Sequence, residues 1–307
     1  MRERSAGGSV ARQLLLIAAI VLALGTTARN REYQSALVLA QTAVDRYPTS
    51  VGRHVLATEL IGAGRRDEAR RQLALALPDA PRAYYTLGVL LFDERRWDEA
   101  IEQFRHFVER LPNIFEAISA RRYTGMALAA QGRWAEAVLE YRAVLGMNPP
   151  PEEEVNVHGL LGDALRRQQR FDEAISQYRV FLQVHPADVG ALTGAAISLG
   201  ATGHIEPAIA LFQRAAAADP HDIAVQSNLA NVFLDAGRPP EAVLPARRAV
   251  ALRPNDAEPH DLLGRALLLT GEADAAIAEF EVARQLAPDA AEIREHLAAA
   301  LRARPRR

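Results

Sequence analysis

The eight histidines are the side chains of this sequence most suited to metal binding or general-base catalysis, and their spacing favours neither. No two of them form the H-E-x-x-H arrangement that places two imidazoles on one face of a helix. They are spread along the chain, at His54, His106, His158, His185, His204, His221, His260 and His296. We therefore expect no metal site, and we interpret His158 and His260, which share one position in the pattern described below, as packing residues.

Carboxylates are abundant, but their clusters stand where helices are expected to begin. Glu152, Glu153 and Glu154 form one cluster, and Asp98 and Glu99 form another. Negative charge is favourable at the positive end of a helix dipole, so we interpret both clusters as helix-start residues rather than as a general acid and base. The sequence also lacks a G-x-S-x-G nucleophile motif and the glycine-rich motifs that bind nucleotide phosphates.

Two residue types are missing, and their absence removes several kinds of chemistry. There are no cysteines, which excludes disulfides, thiolate metal sites and cysteine nucleophiles. All 36 basic residues are arginine, which excludes the phosphate-binding lysine of a P-loop and Schiff-base chemistry. A net charge of −2 also disfavours nucleic acid as a partner. We therefore predict that the chain is not an enzyme and uses no small-molecule cofactor.

The dominant feature of the 307 residues is an internal repeat. An alanine followed twelve residues later by a proline recurs seven times: Ala69 and Pro81, Ala100 and Pro112, Ala137 and Pro149, Ala174 and Pro186, Ala208 and Pro220, Ala242 and Pro254, Ala276 and Pro288. Twelve residues before each alanine stands a second small residue: Ala57, Gly88, Gly125, Gly162, Ala196, Ala230 and Gly264. The last three spacings between these small residues, from Gly162 to Gly264, are each 34 residues. This period is typical of helical solenoids, in which each unit packs on its neighbours.

In this pattern the chain resembles the tetratricopeptide repeat (TPR) family over roughly residues 32 to 305. The resemblance implies an all-α fold, a right-handed superhelix of helix-turn-helix units. We expect the first small residue of each unit to face the alanine of the second helix, since nothing larger fits at a close crossing. Glycines should end the first helices with positive φ, with Arg95 and Gln169 replacing them in two units. Pro245 falls inside a second helix and should kink it.

The sequence before the repeats predicts targeting to a membrane. Leu14 to Leu24 is an uninterrupted apolar run preceded by Arg2, Arg4 and Arg12, typical of a signal peptide or a short signal anchor. Basic residues ahead of the run favour delivery of the repeats to the outer, periplasmic side of a bacterial membrane. A cleaved, periplasmic or secreted form and a cytoplasmic protein remain alternatives. Residues 32–48 resemble a lone second helix with Ala36, Ala40 and Ala43 buried, whose partner would be the apolar segment.

The predicted organisation has four parts. Residues 1–30 form the signal anchor or signal peptide, 31–48 a leading half repeat, 50–288 seven TPR units, and 289–307 a closing helix and basic tail. The junction at residues 28–37 also resembles the one between the last transmembrane helix and the TPR units of protein O-mannosyltransferase-like membrane proteins.

A TPR array implies a groove lined by the first helices, which commonly holds peptides or partner helices. Small residues at Gly159, Gly190 and Gly194 should leave the middle of this groove open. Tyr85, Arg122 and Met126 are the side chains there most favoured at binding surfaces. The full set of candidate partner-binding residues is Tyr85, Arg122, Met126, Asn156, Asp163, Asn228, Asn231, Asp261 and Arg265.

We therefore predict a non-catalytic, membrane-anchored scaffold that binds protein or peptide partners in its groove. Two alternatives stay open. The chain could be the C-terminal TPR portion of a glycosyltransferase-like multi-spanning membrane enzyme, or a cleaved, secreted or periplasmic adaptor.

Overall fold

The computed structural model describes residues 36–77 and 79–304, and within these ranges the chain forms sixteen α-helices and no strand. The all-α prediction is therefore confirmed for this part of the chain. None of these helices is both long and apolar enough to cross a bilayer. The apolar helix expected within residues 1–30 lies outside the described residues.

The described residues fall into two compact units, divided between Gln131 and Gly132. The first unit contains α1 (Ala36–Arg46), α2 (Ser50–Gly62), α3 (Arg66–Ala76), α4 (Pro81–Asp93), α5 (Trp97–Arg110) and α6 (Phe115–Ala130). Helices adjacent in sequence pack together, and α4 also contacts both α2 and α6. The first helices of successive repeats therefore lie side by side within this unit.

The second unit contains ten helices among its described residues: α7 (Trp134–Gly146), α8 (Pro151–Arg167), α9 (Phe171–Val184), α10 (Val189–Ala201), α11 (Ile205–Ala218), α12 (Ile223–Asp235), α13 (Pro239–Leu252), α14 (Ala257–Leu269), α15 (Ala273–Leu286) and α16 (Ala291–Ala303). Each packs on the next, and the first helices α8 and α10, α12 and α14 also touch. The last helix, α16, contacts both α14 and α15.

The alanine of every second helix is completely buried, as the repeat register predicts. The relative exposure is 0% at Ala69, Ala100, Ala137, Ala174, Ala208, Ala242 and Ala276. The residue four positions later is buried too: Leu73, Phe104, Tyr141, Tyr178, Phe212, Ala246 and Phe280. These two positions form the contact face of the second helix.

Three glycines at the small-residue site of the first helix, however, lie closest to this second position: Gly88, Gly162 and Gly264. A methyl group built on Gly88 would lie 2.7 Å from Cε1 of Phe104, and one on Gly264 would lie 2.6 Å from Cε1 of Phe280. Both distances are far below ordinary carbon contact. The expectation that these glycines face the alanine is therefore corrected: their nearest neighbour is the aromatic ring four residues after it.

The turns follow the sequence pattern in backbone conformation. The five turn glycines have positive φ, at Gly64, Gly132, Gly203, Gly237 and Gly271. Arg95 and Gln169, which replace glycine, adopt the same left-handed conformation with φ of 59°. The position thus dictates the backbone conformation regardless of residue type, at a steric cost when a side chain is present.

An arginine and a glutamate form a salt bridge at the start of five second helices, and we call this pair the arginine–glutamate clasp. The arginine is the residue before the helix, and the glutamate three positions later accepts two hydrogen bonds from it at 2.6–2.9 Å. The pairs are Arg65 and Glu68, Arg96 and Glu99, Arg133 and Glu136, Arg170 and Glu173, Arg238 and Glu241. These hydrogen bonds hold the pKa of Glu99 below its usual range. Such partly exposed pairs each contribute little to stability.

Helices α1 and α13 bear on two of the expectations from the sequence. The prediction of buried alanines in α1 is confirmed for Ala40 and wrong for Ala36 and Ala43, which are exposed. The second buried side chain is Val44, because residues four apart face α2 together. Helix α13 continues through Pro245, which is itself buried. The kink expected at Pro245 stays a prediction.

Candidate functional site

Three candidate residues of the first unit lie on the neighbouring first helices α4 and α6. The ring of Tyr85 is half-buried, with centroids 5.3 Å from Phe107 and 6.0 Å from Phe104. Its hydroxyl faces Ser119 of α6, whose polar side chain acts to lower the pKa of Tyr85. Burial raises the pKa of Tyr85, and the nearby Tyr123 adds to the increase. Tyr85 therefore remains a neutral phenol at physiological pH.

Arg122 and Met126 complete this cluster. Nη1 of Arg122 lies 3.2 Å from Sδ of Met126, and its guanidinium carbon lies 4.7 Å from the ring centroid of Tyr123. The positive charge of Arg122 acts to lower the pKa of Tyr85, so the two side chains are within electrostatic range. The structure thus brings together Tyr85, Arg122 and Met126, and we call these three residues the α4/α6 cluster.

On α8 of the second unit, Asn156 and Asp163 differ in their surroundings. Asn156 is exposed and has no hydrogen-bond partner within the described ranges. Asp163 accepts a hydrogen bond of 2.7 Å from the hydroxyl of Tyr178, and the guanidinium of Arg166 lies 3.5 Å away. Burial and then the Asp163 charge raise the pKa of Tyr178. Asp163 therefore helps to hold the α8–α9 hairpin together.

The two asparagines of α12 are both half-buried. Asn228 and Asn231 are three residues apart, so their side chains lie on one helix face. Neither amide has a hydrogen-bond partner among the residues that the structure describes. Each amide can donate two hydrogen bonds and accept through its oxygen.

On α14, Asp261 and Arg265 also share one face, four residues apart. Oδ1 of Asp261 lies 2.7 Å from Nδ1 of His296 on the closing helix α16, and the Asp261 side chain is only 16% exposed. Arg265 is half-buried and forms no ion pair with any described residue. Asp261 is thus partly engaged, while the guanidinium of Arg265 is available.

The prediction that small residues open the middle of the groove is wrong for two of its three glycines. A methyl group on Gly194 would lie 2.5 Å from the hydroxyl oxygen of Tyr178, and one on Gly159 would lie 3.0 Å from Cδ2 of Phe181. Aromatic rings of α9 therefore occupy the space beside both glycines. Gly190 has more room, since a methyl group added there would lie 3.4 Å from its nearest neighbour, Oδ1 of Asp188.

Sequence reasoning missed the partners that tie successive repeats together. His54 Nε2 lies 2.8 Å from the hydroxyl of Thr86, and Asp261 meets His296. In both pairs the second residue lies in the next repeat, two positions before the small-residue site. Thr86 precedes Gly88 by two residues, and His296 precedes the equivalent position of α16, residue 298, by two residues. This offset is visible in the sequence once the repeats are aligned.

The two histidines interpreted as packing residues each join the two helices of one hairpin. Nδ1 of His158 lies 2.7 Å from Oε1 of Gln177, and Nδ1 of His260 lies 2.6 Å from Oε2 of Glu279. The second ring nitrogen of His260 also lies 3.0 Å from the carbonyl oxygen of Pro254. These contacts give both side chains a structural role.

Comparison with known proteins identifies the repeat. One sequence model described as tetratricopeptide repeat matches residues 54–113, 117–150, 124–189 and 160–223, and a second model with the same description matches residues 199–266. The first model alone covers more than half of the chain. No curated protein matches the chain significantly.

Solved structures share the fold. A tetratricopeptide repeat protein from Parabacteroides merdae ATCC 43184 superposes with a TM-score of 0.55 at 17% identity, over 82% of this chain and 98% of its own. MamA 41-end from Desulfovibrio magneticus RS-1 gives a TM-score of 0.52 at 18% identity, over 57% and 95%. Identities this low show the fold alone. The predicted class, an α-solenoid of helix-turn-helix repeats, is thereby confirmed.

Proposed function

The chain belongs to the tetratricopeptide repeat family, and on this basis we propose that it is a non-catalytic scaffold whose first helices bind protein or peptide partners. The observation that carries the proposal is the α4/α6 cluster. An aromatic ring, a guanidinium and a thioether lie together on two adjacent first helices and remain partly accessible. Tyrosine, arginine and methionine are enriched at the centres of protein interfaces.

The first helices of the second unit offer a different kind of contact. The amides of Asn156, Asn228 and Asn231 have no partners among the described residues, and neither has the guanidinium of Arg265. Amide groups can donate to and accept from the main chain of an extended peptide. We propose that these side chains orient a peptide, while Asp163 and Asp261 contribute negative charge beside it.

The test reverses one charge within the cluster and compares it with the same change elsewhere in the first unit. Arg122→Glu should weaken partner capture about tenfold or more, as expected for loss of an interface arginine. Arg105→Glu is the matched control, because Arg105 is exposed on the second helix α5 and has no partner among the described residues. Equal capture by the two variants and the unmodified chain would remove the α4/α6 cluster from the proposal.

We also propose that the N-terminal segment holds the repeats at a membrane, on its outer side. The support is the apolar run Leu14 to Leu24 with arginines ahead of it. The alternatives are a cleaved signal, giving a periplasmic or secreted adaptor, and a cytoplasmic protein. The mass of the mature N-terminus distinguishes cleavage from retention, and capture from separate membrane and soluble fractions tests anchoring.

The second candidate function is that of a TPR portion of a glycosyltransferase-like membrane enzyme. It rests on the resemblance of residues 28–37 to the junction in O-mannosyltransferase-like proteins. Several apolar spans encoded immediately upstream in the same reading frame would favour it. The division into residues 1–30, 31–48, 50–288 and 289–307 stays a prediction in either case.

A further inference from the structure

An apolar pocket lies among helices α9, α10 and α11 of the second unit, and the proposed partner surface does not account for it. The pocket has a volume of about 500 Å³. Ile175 and Leu182 of α9 and Leu199 of α10 form part of its wall. This volume is within the range of small-molecule sites, roughly 300–1,000 Å³. The pocket opens between the second helices of two successive repeats, whereas the α4/α6 cluster is on first helices.

The repeats themselves show how the pocket arises. Ala195 lines it and stands immediately before the small residue of the fifth repeat. Five of the other six repeats have leucine at this position, and all five leucines are buried: Leu56, Leu87, Leu161, Leu229 and Leu263. The side chain that fills this space elsewhere is therefore reduced to a methyl group.

Two further deviations of the fifth repeat make the pocket wall apolar. Pro207 lines the pocket at the position where five repeats have the glutamate of the arginine–glutamate clasp. Leu211 lines it at a position occupied in five repeats by glutamine or glutamate: Gln72, Gln103, Glu140, Gln177 and Glu279. Both changes remove polar groups, and the first removes a negative charge.

The charged residues of the lining are two arginines, with no aspartate or glutamate beside them in the lining. Arg179 of α9 is exposed and has no ion-pair partner within the described part of the chain. Nη2 of Arg214 on α11 donates a 2.8 Å hydrogen bond to the carbonyl oxygen of Pro186, which leaves its positive charge uncompensated. The pocket therefore combines an apolar interior with positive charge.

We propose that this pocket binds an anionic amphiphile, a linear alkyl carboxylate of the fatty-acid class. The alkyl chain fills the space that Ala195 leaves open, and the carboxylate is paired by Arg179 and Arg214. Charge complementarity selects an anion, because the two guanidinium groups have no carboxylate beside them in the pocket lining. A planar guanidinium can donate two parallel hydrogen bonds to a carboxylate.

Calorimetric titration of the full-length protein with dodecanoate, below its critical micelle concentration, tests the proposal. Affinity should rise about fourfold for each added methylene from octanoate to dodecanoate, as expected for burial of an alkyl chain. Dodecanol and dodecyltrimethylammonium have the same chain without a negative charge and should bind at least tenfold more weakly. Equal binding of the three dodecyl compounds would overturn the proposal.

Two variants place the ligand in this pocket. Ala195→Leu restores the residue that five other repeats carry, and it should weaken dodecanoate binding at least tenfold. Arg179→Ala should weaken dodecanoate about tenfold but leave dodecanol unchanged. Arg247→Ala is the matched control, because Arg247 has the equivalent position on α13 and does not line the pocket.

Circular dichroism of each variant serves as the control for folding. If the folded Ala195→Leu protein binds dodecanoate as the unmodified chain does, the ligand sits elsewhere and the proposal is wrong. Sedimentation velocity without ligand measures the oligomeric state and so tests whether a second copy of the chain occupies the pocket. An oligomer that dissociates on Ala195→Leu identifies a second copy of the chain in the pocket and also overturns the proposal. The partner-capture experiment is independent, because Arg122 belongs to the first unit.

Discussion

Replacing Gly88 by alanine should destabilise the first unit, although alanine is the better helix former. The added Cβ would lie 2.7 Å from Cε1 and 2.8 Å from Cδ1 of Phe104. Ordinary carbon contacts are about 3.5–4.0 Å, so the ring or the helix has to move by about 0.8 Å or more. Phe104 has no exposed surface, and its ring is stacked on Tyr123 at 5.5 Å and contacts Tyr85. The ring therefore has little room to move.

Two opposing contributions set the size of the effect. Overpacking a buried site costs about 1–3 kcal/mol, whereas glycine to alanine within a helix contributes about 1 kcal/mol of stability. We expect a net loss of roughly 1–2 kcal/mol in the free energy of unfolding. The measurements are urea unfolding followed by circular dichroism and hydrogen exchange of the amides of α4 and α5.

The first repeat suggests the compensating change, since the positions equivalent to Gly88 and Phe104 there hold Ala57 and Leu73, both of which are buried. Adding Phe104→Leu to Gly88→Ala should recover about 1 kcal/mol or more relative to the sum of the single variants. Gly200→Ala is the control for helix propensity, because nothing lies within 4 Å of its added Cβ. Strictly additive single and double variants would refute the packing argument, as would stabilisation by Gly88→Ala equal to that of Gly200→Ala.

Two further predictions concern backbone conformation and pH. Arg95→Gly should stabilise the protein by about 1 kcal/mol, because Arg95 has φ of 59° and glycine adopts this conformation without steric cost. Gly203→Ala should destabilise the protein by about 1–2 kcal/mol, because Gly203 also has positive φ. Urea midpoints that fail to move in these opposite directions would contradict the reasoning. Burial, aided by the charge of Arg82, lowers the pKa of His54 in the folded protein, so protonation of His54 favours the unfolded chain. The stability that His54 contributes is therefore present above about pH 6.5, the usual pKa of histidine, and is lost as the pH falls towards the lower pKa of the folded protein. An NMR titration of the His54 ring that gives a pKa at or above that of a free histidine peptide would contradict this assignment.

The packing register was predictable from the sequence because it is a steric constraint imposed seven times. Each second-helix alanine is fully buried, and a larger residue at any one of them would have broken the pattern. The turns were predictable for the same reason: Arg95 and Gln169 take the left-handed conformation that the position requires, even without glycine.

The hydrogen-bond partners of the candidate groove residues were less predictable from the sequence. Their repeat positions follow from the period, but Asp163 is engaged by Tyr178 and Asp261 by His296, at separations of 15 and 35 residues. Such contacts depend on how one helix packs on the next, so the helix period alone does not reveal them, and the Asp261–His296 offset can be recognised only when the repeats are aligned. Gly194 shows the same effect, because its small size accommodates Tyr178 rather than an external ligand.

Differences among the repeats therefore carry more functional information than the pattern they share. Ala195, Pro207 and Leu211 all depart from the prevailing residue within one repeat, and all three line one pocket. A single departure has many explanations, but three that remove bulk, charge and polarity around the same space act in one direction. The same comparison shows that leucine is accommodated at the Ala195 position in five sister repeats. Ala195→Leu can therefore close the pocket without an unfamiliar packing arrangement, so loss of dodecanoate binding in a folded variant would report on the pocket itself.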